Sequence, residues 1–279
     1  MSHDRRITPY RPDLADERLR GLVAAERFAT GTAMRVVAPS APVRRHPSPD
    51  ALRDTEALMG EAVTVYDEHE GFAWGQLASD GYVGSLPAAA LAPPGPAPMH
   101  KIRALRSFLF PGPNLKLPPT GFVSLGTKVS VVDRQGAYAR LDTGAFVYAP
   151  HLEDLDARAP DFVAVAERFL ETPYFWGGKT SLGIDCSGLL QTALAAAGIA
   201  APRDSDMQQA ELGRPVDRAD LRRGDLVFWK GHVGIMVDAQ SFVHANGFHM
   251  TTLIEPLAGA EARILGSGAG PITALKRIW

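Results

Sequence analysis

The stretch Thr172–Leu190, TPYFWGGKTSLGIDCSGLL, contains Cys186, the single cysteine among 279 residues. An aromatic, glycine-rich loop precedes the cysteine, and apolar residues at helical spacing follow it as far as Gly198, which is predicted to end the helix. Asp185 is predicted to be the N-cap. Cys186 would then lie in the first turn, where free backbone N–H groups and the helix dipole favour a thiolate.

Cys186 alone leaves two interpretations open. A free cysteine is often a small buried hydrophobe. A nucleophile is favoured by the small neighbours Ser187 and Gly188, which would let a substrate approach the sulfur. A backbone N–H at the helix start would also be placed to receive a developing oxyanion.

Two downstream histidines favour the nucleophile. The segment GHVGIMVD predicts a strand that begins beside His232, and FVHANG predicts a second strand that carries His244. A three-residue turn over 238–240 would place His244 opposite Gly234, with His232 on the same face and at most about 7–8 Å away. A cysteine, a base and a group that orients the base form the general arrangement of nucleophilic catalysis.

Six motifs follow one another in residues 163–279: PYFWGG, DCSGLLQ, PRDSDMQ, LRRGDLVFW, GHVGIMVD and FVHANG. In order and spacing they resemble the NlpC/p60 cysteine peptidases of bacterial cell-wall peptides. The resemblance implies an α+β, papain-like fold, in which the helix with the cysteine packs on an antiparallel sheet with the histidines. It also implies that Cys186 is the nucleophile, His232 the base and His244 the orienting residue.

The N-terminal half shows short strand patterns separated by glycine turns, which favour small β-barrels. A proline-rich break, APPGPA, divides two such units that share a weak internal repeat. Both units resemble bacterial SH3-like domains, and a helix is predicted near residues 13–28. The predicted segments are an N-terminal helical arm (1–31), a first SH3-like domain (32–92), a second SH3-like domain (98–152) and the peptidase domain (159–279).

Within the family, two SH3-like units before the peptidase resemble the γ-D-glutamyl-L-diamino-acid endopeptidases of murein-peptide recycling. The resemblance implies hydrolysis of the γ-D-Glu–diamino acid bond in small stem peptides with a free N-terminal L-Ala. The implied substrate-binding residues are Tyr82, Asp54, Glu56, Tyr174, Trp176, Asp185, Ser187, Asp204 and Ser205.

Asp54 and Glu56 are alternatives for the acid that binds the substrate amine, through a charge-assisted hydrogen bond to the ammonium. Ser85 departs from the pattern, because a tryptophan is expected there. Each assignment also has an ordinary structural interpretation. Tyr82 and Trp176 would serve equally as core aromatics, and Asp185 as an N-cap.

Composition limits the other possibilities. The net charge of −2 gives no reason to expect a nucleic-acid partner. A single cysteine excludes an internal disulfide, and the eight histidines lack metal-ligand spacing, so neither metal nor cofactor is expected. The charged N-terminus lacks the apolar run of a signal peptide, and no stretch reaches the ~20 apolar residues of a membrane span. The sequence therefore predicts a cytoplasmic protein, expected to be a monomer.

Three alternatives stay open at this point. An exported wall hydrolase would use its SH3-like units to grip the polymer. Related papain-like domains are amidases or acyltransferases. A binding module without activity is disfavoured because Cys186, His232 and His244 are all present.

Overall fold

The computed structural model describes residues 3–279. The chain divides into two compact units, Met1–Leu155 and Asp156–Trp279. This division falls in the segment that the sequence left between the predicted second SH3-like domain and the predicted peptidase domain. The finer division of the first unit stays a prediction.

The predicted helix near residues 13–28 is wrong. The segment instead forms strands β1 (Leu14–Asp16) and β2 (Arg27–Ala29), which pair in parallel, with one 3-10 turn over Glu17–Leu19. Gly21 has a φ of +82°, which an α-helix does not allow, and Leu22 on the expected packing face is 67 % exposed. Apolar spacing without a contiguous buried surface therefore did not produce a helix.

The first large sheet of this unit is entirely antiparallel and has the strand order β5-β4-β8-β7-β6-β3-β9. Its apolar core includes Val36, Val43, Leu77 and Leu86, all at most 2 % exposed. The strands are β3 (Thr32–Val36), β4 (Ser40–Arg44), β5 (Arg53–Leu58), β6 (Ala62–His69), β7 (Phe72–Leu77), β8 (Val83–Pro87) and β9 (Leu91–Ala92).

Residues 100–154 form three small antiparallel sheets, ordered β13-β10-β17, β11-β12 and β14-β15-β16. They share a second apolar core around Ile102, Leu141 and Val147. The strands are β10 (His100–Ile102), β11 (Arg106–Leu109), β12 (Gly121–Ser124), β13 (Lys128–Val129), β14 (Val131–Gln135), β15 (Tyr138–Leu141), β16 (Phe146–Tyr148) and β17 (Leu152–Asp154).

The second unit is built on a six-stranded antiparallel sheet ordered β20-β25-β21-β22-β23-β24. A hairpin formed by β18 and β19 precedes the cysteine helix. The strands are β18 (Lys179–Thr180), β19 (Gly183–Ile184), β20 (Arg214–Pro215), β21 (Asp225–Trp229), β22 (His232–Met236), β23 (Ser241–Asn246), β24 (Thr251–Pro256) and β25 (Ala274–Arg277).

Four α-helices accompany this sheet in the described part of the second unit: α1 (Phe162–Glu167), α2 (Cys186–Ala196), α3 (Ser205–Glu211) and α4 (Leu257–Gly266). Helix α2 is buried on nearly all sides from Cys186 to Leu194, because it packs between α1 and strands β22 and β23. The predicted α+β architecture, with the cysteine helix against the histidine strands, is confirmed.

Candidate active site

Asp185 caps helix α2, as predicted. Its Oδ1 accepts a hydrogen bond from the N–H of Gly188 at 2.7 Å, which satisfies one of the unpaired donors at the helix start. Its Oδ2 accepts the N–H of Gly177 at 2.8 Å and so ties the aromatic loop to the helix. Cys186 is the first residue of α2, and Gly198 follows the helix with a φ of +78°, so both predicted ends are confirmed.

Gly188 is required by close packing between the loop and the helix. A Cβ atom at this position would lie 2.3 Å from the carbonyl oxygen of Gly178, which is far inside van der Waals contact. The missing Cβ of Gly188 therefore lets the loop backbone lie directly on the first turn of α2. This contact fixes the backbone on which Cys186 is carried.

The thiol of Cys186 is buried, with 7 % of the residue exposed. Burial raises the pKa of this thiol to about 12, and the negative charge of Asp185 adds to the shift. Hydrogen bonds from the backbone N–H groups of Val233 and Ser187 act in the opposite direction but are weaker. The expectation that the helix start would favour a thiolate is therefore wrong for the free protein, because desolvation of the charged sulfur outweighs the helix-terminal donors.

His232 and His244 lie in direct contact. Nε2 of His232 is 2.7 Å from Nδ1 of His244, and the β22–β23 register places His244 opposite Gly234 as predicted. Burial lowers the pKa of His232 to about 3, and burial also lowers the pKa of His244. Both rings are therefore neutral at neutral pH.

The sulfur and His232 come from neighbouring positions of the fold. Val233, whose N–H points at the sulfur, directly follows His232 in β22. Since Nε2 of His232 faces His244, its Nδ1 is the nitrogen left for the thiol. A neutral imidazole can accept the proton of a neutral thiol as the sulfur attacks a carbonyl carbon.

Glu255 was not found by the sequence analysis. Its Oε1 lies 2.8 Å from Nε2 of His244, and Arg263 donates to both of its oxygens, at 2.7 and 2.5 Å. Burial opposes ionisation of this carboxyl group, but the interactions with His244 and Arg263 outweigh it and lower its pKa to about 2. Strand β24 pairs with β23, so an acidic residue in β24 can lie on the same face of the sheet as His244. An acidic residue in the strand that follows β23 was the signal that could have found Glu255.

Arg203 is the second residue that the sequence analysis missed. It is 1 % exposed and donates to both carboxylate oxygens of Asp185, at 3.0 and 2.7 Å, and to Oγ of Ser187 at 2.7 Å. Gln208 adds a hydrogen bond from Nε2 to the carbonyl oxygen of Ser187 at 3.0 Å. Asp185 and Ser187, both predicted to bind substrate, are thus held by a buried arginine behind the cysteine.

The remaining predicted substrate-binding residues of the second unit differ in exposure. Trp176 is 64 % exposed and Tyr174 is half-buried, so both side chains have accessible surface. Burial raises the pKa of Tyr174, and the nearby negative charge of Asp185 adds to this effect. Asp204 occupies the N-cap position of α3, and Ser205, the first residue of that helix, is buried. Their binding roles stay predictions.

The other predicted binding residues belong to the first unit. Tyr82 is 3 % exposed and packs in the apolar core of the first large sheet. Asp54 accepts a hydrogen bond from Arg45 at 2.8 Å, and buried Glu56 is paired with Arg53. These contacts give each residue a structural role in its own unit, and contact with a substrate stays a prediction.

Comparison with known proteins identifies the second unit. Residues 171–260 match the NlpC/P60 family. The chain carries an NlpC/P60 peptidase domain. Residues 43–91 match the bacterial dipeptidyl-peptidase SH3 domain, so an SH3 domain precedes the peptidase domain. A second SH3-like domain stays a prediction.

The curated relatives include two enzymes named gamma-D-glutamyl-L-lysine dipeptidyl-peptidase. That of Bacillus cereus is 28 % identical over 73 % of this chain and 70 % of its own length. That of Bacillus subtilis is 37 % identical over 37 % of this chain and 38 % of its length. An Escherichia coli protein named murein DD-endopeptidase MepS/murein LD-carboxypeptidase is 41 % identical over 30 % of this chain and 48 % of its length.

A solved structure of an NlpC/P60 family protein from Bacillus cereus has the same fold. It superposes with a TM-score of 0.73 at 22 % sequence identity, covering 88 % of this chain and 99 % of that chain. Within residues 3–279, no helix has the length and apolar character needed to cross a membrane.

The buried, neutral thiol predicts a steep pH dependence of alkylation. Because the pKa of Cys186 is raised, the thiolate fraction still grows through the neutral range, and the rate with iodoacetamide should rise about tenfold per pH unit from pH ~6 to pH ~9. Mass spectrometry can follow the single labelled site, and Cys186→Ser is the control that should stay unlabelled. A rate that is constant across this range would instead show a thiolate–imidazolium pair.

We expect Arg203 to contribute strongly to the stability of the folded protein. Arg203→Met would leave the buried carboxylate of Asp185 without its cation, which should lower the free energy of unfolding by about 3–5 kcal/mol. Arg218→Met is the matched control, because Arg218 forms an exposed bidentate pair with Glu261 and should cost at most about 1 kcal/mol. Urea unfolding of both variants measures the difference, and equal losses would contradict the assignment.

Proposed function

We propose that the protein hydrolyses the γ-D-Glu–diamino acid bond of murein stem peptides that carry a free N-terminal L-Ala. The observation that carries the proposal is the buried arrangement of Cys186 beside β22 together with the contact between His232 and His244. This is a nucleophile, a base and a group that orients the base, which is what acyl transfer from an amide requires. The NlpC/P60 match supports a peptide of the bacterial wall as the substrate class.

The substrate bond is supported by the relatives. The Bacillus cereus enzyme, named for a γ-D-glutamyl-L-lysine bond, is similar over 73 % of this chain. The diamino acid is left open, and lysine and diaminopimelate are both candidates. The predicted location in the cytoplasm and the role in peptide recycling remain part of this proposal.

A second candidate function is cleavage of intact murein. The Escherichia coli relative named murein DD-endopeptidase supports it, although that similarity covers only 30 % of this chain. Hydrolysis of purified sacculi, compared with hydrolysis of soluble tripeptides, separates the two functions. An amidase or acyltransferase would be recognised by products other than the free peptide fragments.

Incubation with L-Ala-γ-D-Glu-diaminopimelate, and with its L-lysine counterpart, tests the proposed bond. Mass spectrometry should detect L-Ala-γ-D-Glu and the free diamino acid. Cys186→Ala should abolish turnover while leaving thermal unfolding nearly unchanged, because it removes one small group at a helix start. Persistence of the intact peptides with the wild-type protein would disprove the proposed activity.

The histidines provide graded controls in the same assay. His232→Ala should be nearly as inactive as Cys186→Ala, because it removes the base. His244→Ala should be milder, since an orienting group is partly replaceable. Wild-type turnover by His232→Ala would contradict the assignment of the base.

The free N-terminus of the substrate is a separate part of the proposal. A charge-assisted hydrogen bond to the substrate ammonium should contribute on the order of 1.5–3 kcal/mol, or roughly 10- to 100-fold in kcat/KM. We therefore expect the wild-type protein to prefer the free peptide over its N-acetylated form by about that factor. Asp54→Asn or Glu56→Gln should reduce the preference, depending on which acid binds the amine, and Tyr82→Phe should show whether the phenol contributes.

The measurement is the ratio of kcat/KM for the two peptides. Thermal unfolding of each variant separates loss of recognition from loss of the Arg45 or Arg53 ion pair. Equal cleavage of free and acetylated peptide by the wild-type protein would show that no amine site exists.

A further inference from the structure

A row of hydrogen-bonding groups extends from His232 to the edge of the catalytic unit. It runs from Nε2 of His232 to Nδ1 of His244 (2.7 Å), then from Nε2 of His244 to Oε1 of Glu255 (2.8 Å), and ends at the guanidinium of Arg263. His249 also faces this carboxylate, with its Nε2 3.9 Å from Oε2. Arg263 stacks over the ring of Phe248 at 4.8 Å, which helps to hold the guanidinium in place.

The direction of proton donation along this row decides whether His232 can act as a base. In a neutral imidazole one nitrogen is a donor and the other an acceptor. If His244 donates from Nε2 to Glu255, its Nδ1 accepts from Nε2–H of His232, and Nδ1 of His232 is bare. If the direction is reversed, His232 carries its proton on Nδ1 and cannot accept one from Cys186.

Asn246 favours the reversed direction. Its Nδ2 lies 3.0 Å from Nε2 of His244, and its Oδ1 accepts the backbone N–H of His249 at 2.8 Å, so the amide presents its donor to the histidine. Nε2 of His244 cannot both accept from Asn246 and donate to Glu255. The two neighbours therefore compete for opposite tautomers of the same ring.

We propose that Glu255 is a positioning residue that sets the direction of proton donation through His244 and leaves Nδ1 of His232 free to receive the proton of Cys186. An ionised carboxylate can only accept hydrogen bonds, and Arg263 holds it by two contacts. A charge-assisted hydrogen bond from His244 to Glu255 is stronger than a neutral one from Asn246. The importance of this direction for turnover rests on the proposed hydrolysis at Cys186.

Nitrogen-15 NMR of histidine-labelled protein tests the direction without any substrate. In the wild-type protein at neutral pH, His232 and His244 should each show a protonated Nε2 and a bare Nδ1. In Glu255→Gln both rings should change to the opposite tautomer, because a glutamine amide can donate to Nε2 as Asn246 does. A protonated Nδ1 at His232 in the wild-type protein, or unchanged tautomers in a folded Glu255→Gln variant, would overturn the proposal.

Kinetics with an exchange variant give a second test. Glu255→Gln should lower kcat by about 10- to 100-fold with little change in KM. Adding Asn246→Asp moves a carboxylate to the other neighbour of Nε2, and should recover most of this loss. If Glu255 acted only in folding, Asn246→Asp would not restore kcat. A double variant whose kcat is no higher than that of Glu255→Gln would therefore contradict the proposal.

Glu261→Gln is the matched control, because Glu261 is a carboxylate of α4 paired with exposed Arg218 and should keep kcat within about twofold. The two tests also separate this proposal from the proposed function. If no murein peptide is cleaved, the proposed function fails, whereas the tautomers measured by NMR still support or overturn the role of Glu255.

Discussion

The second unit depends on the hydrogen bonds that the carboxylate of Asp185 accepts. This carboxylate accepts the N–H of Gly177 from the aromatic loop, the N–H of Gly188 from the first turn of α2, and two hydrogen bonds from buried Arg203. One residue thereby joins three chain segments immediately beside Cys186. Two of these four hydrogen bonds come from the guanidinium of Arg203, whose positive charge compensates the buried carboxylate. The N-cap residue of α2 therefore also connects the chain segments that surround Cys186.

Desolvation sets the resting protonation of Cys186 and His232. The start of a helix favours a thiolate, but the sulfur is buried and lies beside a negative charge, so its pKa rises to about 12. The same burial lowers the pKa of His232 to about 3. The thiol and the imidazole are therefore both neutral at rest, and the proposed hydrolysis requires the substrate carbonyl to make proton transfer between them favourable as the new bond forms. The relative position of the thiol and the imidazole then matters more than whether the thiol is already ionised.

The buried polar row behind His232 shows how the sheet contributes to this positioning. The row crosses from β22 through β23 to β24 and α4, so each partner is supplied by a different element. Competition between Glu255 and Asn246 for one nitrogen makes the row sensitive to a single charge. The sheet register that brings His244 opposite Gly234 also holds the imidazole next to both competitors.

The sequence by itself determined the features that rest on local rules. Asp185 lies at the start of α2 and Gly198 just beyond its end, because helix capping and left-handed backbone depend on residues that are neighbours in sequence. The two-residue period of β-strands likewise predicted that His232 and His244 share one face of the sheet. Only the tertiary structure decided the rest. Arg203, Glu255 and the resting protonation of Cys186 depend on contacts between residues far apart in the chain and on exclusion of water, which no local pattern encodes. The segment near residues 13–28 was predicted to be a helix from its apolar spacing. It forms strands instead, because Gly21 has a positive φ and β1 pairs with β2.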